Sequence, residues 1–346
     1  MKLDSINPSN NTILGEVQIT TEAELQSMVK TAHLAKENWK ELGVEGRNKI
    51  LRHFYDVLEK HADDIAKLQA EEMGMPISEA KEDVDSGLTY LRWYSDHANE
   101  SLAPEISFED EHELHTVYRE PRGVVGVIIP WNFPFSNFVW QCGQNLVAGN
   151  VVLLKHSEEV PLFSKKLEAL AVEAKLPSGV LSFVYGDGKI GNLLAHQNLD
   201  MICFTGSTKV GKHLYKVAAE KFIPALMELG GSAPGIVFED ANLPEVIETI
   251  VINRFINCGQ VCDGLKRLLV HQSRHDELLK LLAEKISAKK IGDALDKDVG
   301  LGPLVAERQV VALEAQVKDA KNKGANIAIG GKRPSDIKGA YYEPTL

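Results

Sequence analysis

The chain is 346 residues long, with 38 basic and 49 acidic residues and a formal net charge of −11. That length supports a large buried core and two or three domains, and it excludes a small disulfide-stapled fold. The acidity leaves no basic reservoir for a phosphate backbone, so it counts against nucleic acid as a partner, and its plain consequence is solubility.

The opening MKLDSINPSNNT is polar and lacks an apolar signal core. No apolar run approaches the roughly 20 residues that span a bilayer, so the expectation is a cytoplasmic protein without a membrane partner. Residues 22–101 carry apolar positions at helical spacing, such as Leu25, Met28, Val29 and Ala32, then Leu51, Phe54 and Leu58, and read as mostly helical. The segment SFEDEHELHTVYRE (107–120) partly alternates polar and apolar residues, as an edge strand pair would, and is expected to be a small excursion that pairs with a neighbouring subunit.

From Gly123 the texture changes to short β-branched runs, GVVGVIIP, NVVLLK, GVLSFVYG, DMICFTG and APGIVF, separated by helical stretches such as 161–175 and 208–221. Strands alternating with helices mean parallel βαβ units, an α/β fold with ligands at the carboxyl ends of the strands. The last third (RLLVH, then helical 275–289 and 306–323) repeats this texture up to YYEPTL. The four cysteines, Cys142, Cys203, Cys258 and Cys262, form no CxxC pair and no zinc-finger spacing with histidine. Free thiols in a reducing compartment are expected, with no metal. Cys142 and Cys203 lie in apolar runs and read as core.

Two phosphate-type motifs stand out. Gly186-Asp187-Gly188-Lys189-Ile190-Gly191 matches G-x-G-x-x-G between a strand and a helix, but the following strand DMICFTG ends in Thr205-Gly206-Ser207 rather than in the acidic residue that an ordinary dinucleotide fingerprint places on the ribose. A simple glycine turn is the plainer reading. Gly206 to Lys212 reads G-x-x-x-x-G-K, yet the next residue is His213, where a P-loop needs a hydroxyl for magnesium. What survives is a helix start capped by Ser207 or Thr208, which suits a phosphate as well as it suits a plain capped helix.

Five segments carry more specific information: PWNFPF (130–135), LLKHSE (153–158), FTGSTKVG (204–211), MELGG (227–231) and FINCGQVC (255–262). In this order they resemble the aldehyde dehydrogenase superfamily from about residue 5 to the end of the chain. The resemblance implies a Rossmann-like parallel-sheet NAD-binding domain from 1–104 and 123–228, a small β oligomerisation excursion at 105–122, and an α/β catalytic domain over 229–346. It also implies a homodimer or homotetramer for the full-length enzyme. Relatives continue into an E-x-F-G-P segment that grips the nicotinamide ribose and ring, and this sequence stops at Leu346 before it. A non-catalytic nucleotide-binding remnant is therefore an alternative, and a CoA-acylating relative is another, against which Glu228 speaks.

The chemistry follows from the residue types. Oxidation of an aldehyde by hydride transfer needs a tetrahedral alkoxide, which a thiolate supplies readily. Cys262 is the candidate nucleophile; an inert buried cysteine is the blander reading, and Gly259-Gln260 just upstream argues against it by loosening the backbone. The alkoxide needs a preorganised donor, whose loss typically costs about 3 to 4 kcal/mol. Asn132, after the strand GVVGVIIP, offers its carboxamide, and the resemblance adds the backbone N–H of Cys262. Glu228 matches the base that activates water, competent if partial burial raises its pKa, whereas a solvated glutamate is the alternative. Cys258 could share a helical face with Cys262, as a structural thiol or a disulfide partner.

For the cofactor, the resemblance implies a dinucleotide held along Ile128, Pro130, Trp131, Lys155, Ser157, Glu158, Gly186, Gly191, Phe204, Thr205, Gly206, Ser207, Val210, Glu228, Leu229 and Gly230. Lys155 and Glu158 match the pair that holds the adenosine ribose, and a glutamate there favours NAD over NADP by repelling the extra phosphate. An exposed ion pair worth about 0 to 1 kcal/mol is the structural alternative. His156 stands where the family commonly has proline. The aldehyde tunnel falls to Phe133, Asn137, Trp140 and Val261. Asn137, Trp140, Gln141 and Gln144 are spaced to share one helix side. The run from Cys262 to Arg267 is similar to semialdehyde-oxidising members, although Asp263 beside the nucleophile would oppose a carboxylate-bearing substrate such as succinate semialdehyde.

Overall fold

A computed structural model describes residues 1–346. The chain begins as a strand ribbon of β1 (Lys2–Ile6) and β2 (Ile13–Gln18), and the stretch whose apolar spacing reads as mostly helical forms four helices: α1 (Glu22–Glu41), α2 (Gly43–Lys60), α3 (Ala62–Met73) and α4 (Ile77–Ser101). Helix α1 starts where it does because Thr21 and Glu24 form a capping box. The Thr21 hydroxyl accepts from Glu24 N–H at 3.3 Å, and the Glu24 carboxylate accepts from Thr21 N–H at 2.7 Å. The expected strand pair is β3 (Glu105–Glu109) with β4 (Leu114–Val117), antiparallel and turned by the Asp110 carboxylate, which accepts from the N–H groups of His112 and Glu113.

The chain divides into two compact units. The first comprises 1–3, 16–65 and 83–228. Its centre is a five-stranded sheet in the order β7-β6-β5-β8-β9, built from β5 (Val124–Ile128), β6 (Val151–Lys155), β7 (Leu181–Phe183), β8 (Met201–Gly206) and β9 (Ala225–Leu229). β5 pairs in parallel with β6 and β8, and β6 with β7. Strands buried on both faces read as unbroken apolar runs, and all five residues of β6 are buried, Lys155 included. The connections are α5 (Pro134–Phe138), a π turn (Val139–Gly143), α6 (Gln144–Val147), α7 (Pro161–Glu173), α8 (Gly188–Ala195) and α9 (Thr208–Glu220).

The second unit comprises 4–15, 66–82 and 229–346. It holds the parallel pair β10 (Ala233–Val237) and β11 (Leu265–Val270), with α10 (Leu243–Phe255), α11 (His275–Ser287) and α12 (Glu307–Asn322). Val237, Leu243, Ile247, Val251, Phe255, Leu278, Leu282 and Ile286 form its core. The first unit ends at Glu228, and 4–15 and 66–82 group with the second unit. Helical periodicity reports that the end of α3 and the start of α4 are helical, not which core they join. The join is tight: Ile77 N–H donates to Ala294 O at 2.8 Å, and a Cβ at Gly74 would lie 2.5 Å from Pro303 O.

Phe54 is fully buried on α2, edge-on to Phe138 with ring centroids 6.3 Å apart. Truncating it removes a large apolar surface and leaves a cavity, so Phe54→Ala is expected to destabilise the protein by about 3–5 kcal/mol. Urea unfolding followed by tryptophan fluorescence checks this, and an unchanged midpoint would refute it.

Candidate functional site

The sheet order reverses its winding between β5 and β8, and an open parallel sheet binds ligands outside the carboxyl ends of its strands at such a point. β5 runs from Ile128 into Pro130, Trp131, Asn132 and Phe133, all half-buried, and β8 delivers Phe204, Thr205, Gly206 and Ser207. Ser207 caps α9, its hydroxyl accepting from Val210 N–H at 3.4 Å, so the remaining first-turn N–H groups and the helix dipole are available to a phosphate. The G-x-G-x-x-G motif follows edge strand β7 instead. Its helix α8 is capped by Asp187, whose carboxylate accepts from Lys189 N–H at 2.9 Å and Ile190 N–H at 3.4 Å and thus sits where a phosphate would have to. At the last position of the P-loop-like run, His213 is hydrogen-bonded to Asn192 at 2.7 Å on the surface.

Lys155 is only 3 % exposed, donates to His156 O at 3.1 Å and lies 3.7 Å from the Glu158 carboxylate. The burial of the lysine distinguishes this contact from an exposed surface ion pair. Burial lowers the lysine pKa, opposed by Glu158 and Asp187. A Cβ at Gly191 would come 3.3 Å from the lysine stem and 3.9 Å from Ile128, so the absence of a side chain there leaves Lys155 its place. An ammonium donor beside a carboxylate acceptor is the set that a ribose diol needs, so these residues fit the adenosine half of a dinucleotide.

His156 is buried, with Nδ1 3.1 Å from Ser164 Oγ and Nε2 3.3 Å from Pro134 O. It ties the chain after β6 to α7 and to the start of α5, doing by hydrogen bonding what a proline ring does by restricting φ.

The helix after Asn132 departs from the expected pattern. Asn137 and Gln141 are buried while Trp140 and Gln144 are exposed, so the four residues do not share one side. The cause is the π turn at Val139–Gly143, which shifts the angular phase of the residues after it. Asn137 folds back, donating to Phe133 O at 2.9 Å, and its Oδ1 is buried without a partner. Gln141, which the sequence pattern did not single out as a site residue, donates to Thr205 Oγ1 at 3.0 Å and so links the helix after β5 to the end of β8. An amide in an otherwise apolar stretch was the available signal.

In the second unit, α10 stops at Phe255, and Asn257 (φ 50°), Cys258 (φ 55°) and Gly259 (φ 79°) are successive left-handed residues. Cys258 and Cys262 therefore do not share a helical face. All four cysteines are free. The Cys258 thiol donates to Gly302 O at 3.4 Å, and burial pushes its pKa far up. Cys142 and Cys203 are buried, as their apolar runs suggested. Cys262 is exposed, its thiol donating to the Asp263 carboxylate at 3.8 Å; residual covering first, and Asp263 second, raise its pKa. The backbone of Cys262 is held through its carbonyl, which accepts from Gly231 N–H at 3.2 Å and Lys266 Nζ at 2.8 Å. Val261 and Leu229 are half-buried and Gly230 is exposed. Glu228, in the first unit, is exposed, so the partial burial expected of it is not found. No group of three or more His, Cys, Asp or Glu residues gathers as a metal site, and no helix is long and apolar enough to cross a membrane.

A doubly wound sheet whose switch point suits a dinucleotide defines a dehydrogenase-type architecture. The chain belongs to the aldehyde dehydrogenase family, whose model matches residues 1–346. It is 35% identical over 343 residues to a probable succinate-semialdehyde dehydrogenase [NADP(+)] of Sinorhizobium fredii strain NGR234, covering 98% of this chain and 70% of that protein. It superimposes on the crystal structure of PnpE in complex with nicotinamide adenine dinucleotide with a TM-score of 0.96 at 30% identity, covering 100% of this chain and 72% of that one. On 3,6-anhydro-L-galactose dehydrogenase in complex with NADP the TM-score is 0.94 at 32% identity, covering 100% and 73%. The protein is thus an oxidoreductase that acts on aldehydes with NAD or NADP.

Burial drives the His156 pKa from 6.5 down to about 3. Below pH 6.5 the unfolded chain binds a proton that the folded one refuses, so stability falls as pH drops from 6.5 towards 3, by up to about 1.4 kcal/mol per pH unit from this group. His156→Gln is expected to flatten that part of the urea-midpoint profile, and a profile identical to wild type would count against a neutral buried His156.

Proposed function

We propose that the protein oxidises an aldehyde to a carboxylic acid through Cys262, with Asn132 and the Cys262 backbone N–H as oxyanion donors and Glu228 as the base. The observation that supports this best is that Cys262 is the exposed one of the four thiols. The thiolate attacks the carbonyl carbon, and the former carbonyl oxygen becomes an alkoxide that the two donors stabilise. Bound NAD or NADP supplies the two-electron acceptor for the hydride that leaves this carbon. The resulting thioester on Cys262 is cleaved by water, whose proton Glu228 accepts, and the thiolate departs with the acid released. The raised thiol pKa has a consequence: the thiolate fraction, and with it the acylation rate, grows with pH above neutrality.

The dinucleotide reading rests on Lys155, Ser157 and Glu158 for the adenosine ribose and on Thr205, Gly206, Ser207 and Val210 for the phosphates. Ile128, Pro130, Trp131, Phe204, Gly186 and Gly191 shape the surrounding surface, and Leu229 and Gly230 follow the base. Phe133, Trp140, Val261 and Asn137 are proposed for the aldehyde path, Asn137 as an inner wall. The substrate is proposed to be a semialdehyde, supported by the name of the Sinorhizobium relative. Asp263 is countered by Lys266 and Arg267, which donate to Cys262 O, Gly231 O and Ser232 O around the same turn. The exposed apolar residues Ile106, Phe108, Leu114 and Val117 of the β3–β4 ribbon support a subunit contact in a homodimer or homotetramer, and the free thiols support a reducing, cytoplasmic setting.

Four expected outcomes test these assignments. Cys262→Ser should abolish NADH formation from propionaldehyde, while Glu228→Gln should retain a first-turnover burst with steady-state turnover slowed by about 10²-fold or more. Glu228→Gln turning over at the wild-type rate would remove it as the base. Glu158→Gln should shift the ratio of kcat/KM values for NAD and NADP towards NADP by about tenfold, roughly the 1.4 kcal/mol of one lost charge repulsion; an unchanged ratio would reject the NAD preference. A lower kcat/KM for succinate semialdehyde than for butyraldehyde would reject the semialdehyde reading.

A further inference from the structure

Glu79 lies near the start of α4, in the same unit as Cys262, and its carboxylate accepts from the backbone N–H of Asn257 at 2.6 Å. Asn257 opens the left-handed Asn257–Cys258–Gly259 turn. Residues with a Cβ adopt that region at a cost, so two in succession persist only where surrounding contacts hold them. Here the Cys258 thiol is anchored to Gly302 O, and Asn257 is bonded to Gln260 both ways: Gln260 N–H donates to Asn257 O at 2.9 Å, and Asn257 Nδ2 to Gln260 O at 3.4 Å. The Gln260 side chain in turn accepts from Val305 N–H at 3.0 Å. Two residues further on is Cys262.

We infer that Glu79 is a positioning residue for the nucleophile: by gripping Asn257 N–H it holds the left-handed turn that sets where the Cys262 thiol stands. The inference rests on Cys262 being the nucleophile. The groups that face Glu79 are the Asn257 N–H, the Lys289 ammonium, Glu82 on its own helix and the Cys258 thiol, which burial keeps protonated. Burial chiefly, with Glu82 adding, raises Glu79 to about 7, against Asn257 and Lys289. Above that pH the carboxylate is an anion and its hydrogen bond is charge-assisted; below it the bond is between neutral groups and weaker. The grip on the turn therefore loosens as pH falls through neutrality.

The test uses the full chain with NAD and an aldehyde, comparing wild type, Glu79→Gln, which keeps an acceptor without the charge, and Glu79→Ala, which removes it. Glu79→Ala is expected to lower kcat by about tenfold or more with KM for NAD changed by less than about twofold, because misplacement of a reacting group acts on the chemical step. Glu79→Gln should restore kcat at pH 8 to within about threefold of wild type. Between pH 6 and 7, log kcat/KM should climb by more than one unit per pH unit in wild type, where Glu79 and the thiol both ionise, and by about one in Glu79→Gln, where only the thiol does. Parallel profiles for these two, or a Glu79→Ala enzyme within about twofold of wild-type kcat, would overturn the inference. If Glu79→Ala does not fold, as thermal unfolding will show, the two profiles decide alone. A Cys262→Ser enzyme that keeps its activity would instead overturn the nucleophile assignment.

Discussion

A parallel strand can reach its neighbour only through a crossover, and in the first unit the crossovers run outward in both directions from β5. No connection then covers the crevice between the carboxyl ends of β5 and β8. The chain leaving β5 supplies Pro130 to Phe133, and the chain leaving β8 supplies Thr205 to Ser207 and the start of α9. Gln141, reaching Thr205 from the helix after β5, holds these two exits to each other. The buried Lys155 at the end of β6 follows from the same arrangement, because a strand covered on both faces has no other direction in which to send its last side chain. A charge so placed needs partners, and it finds Glu158 and the carbonyl of His156.

The second unit uses a different constraint to present its thiol. A helix that continued past Phe255 would carry Cys258 and Cys262 on one face, both packed or both exposed. Successive left-handed residues end α10 instead, sending Cys258 inward to Gly302 O and leaving Cys262 exposed. Two thiols four residues apart thereby acquire opposite chemistry. Burial holds one protonated, while the other keeps solvent access and a backbone fastened by Gly231 and Lys266. The Gly-Gly that follows Glu228 and Leu229 thus has a structural role of its own, since Gly231 N–H meets the Cys262 carbonyl.

Much of this is legible in the sequence. The β-branched runs became β5 to β8 and β10, the alternation at 107–120 became the β3–β4 ribbon, and the apolar settings of Cys142 and Cys203 proved to be buried ones. In the two phosphate-like motifs, Asp187 caps α8 with its own carboxylate, and His213, where a P-loop needs a hydroxyl, bonds to Asn192. Other features had no local signal. A π turn arises where packing forces an extra residue into a helix, so the spacing of Asn137, Trp140, Gln141 and Gln144 misled. The exposure of Glu228 depends on what surrounds β9, which its own strand pattern does not specify. Glu79 sits 178 positions before Asn257, and nothing in either neighbourhood points to the other.

By itself, then, the sequence determined the fold class, the family and the kinds of reactive group available, because these rest on periodicity, residue chemistry and short motifs that are local. The tertiary structure decided which of those groups are exposed, which are held and at what protonation state. Burial and hydrogen bonding depend on residues distant along the chain, as the neutral His156 between Ser164 and Pro134 and the Cys258 thiol against Gly302 show.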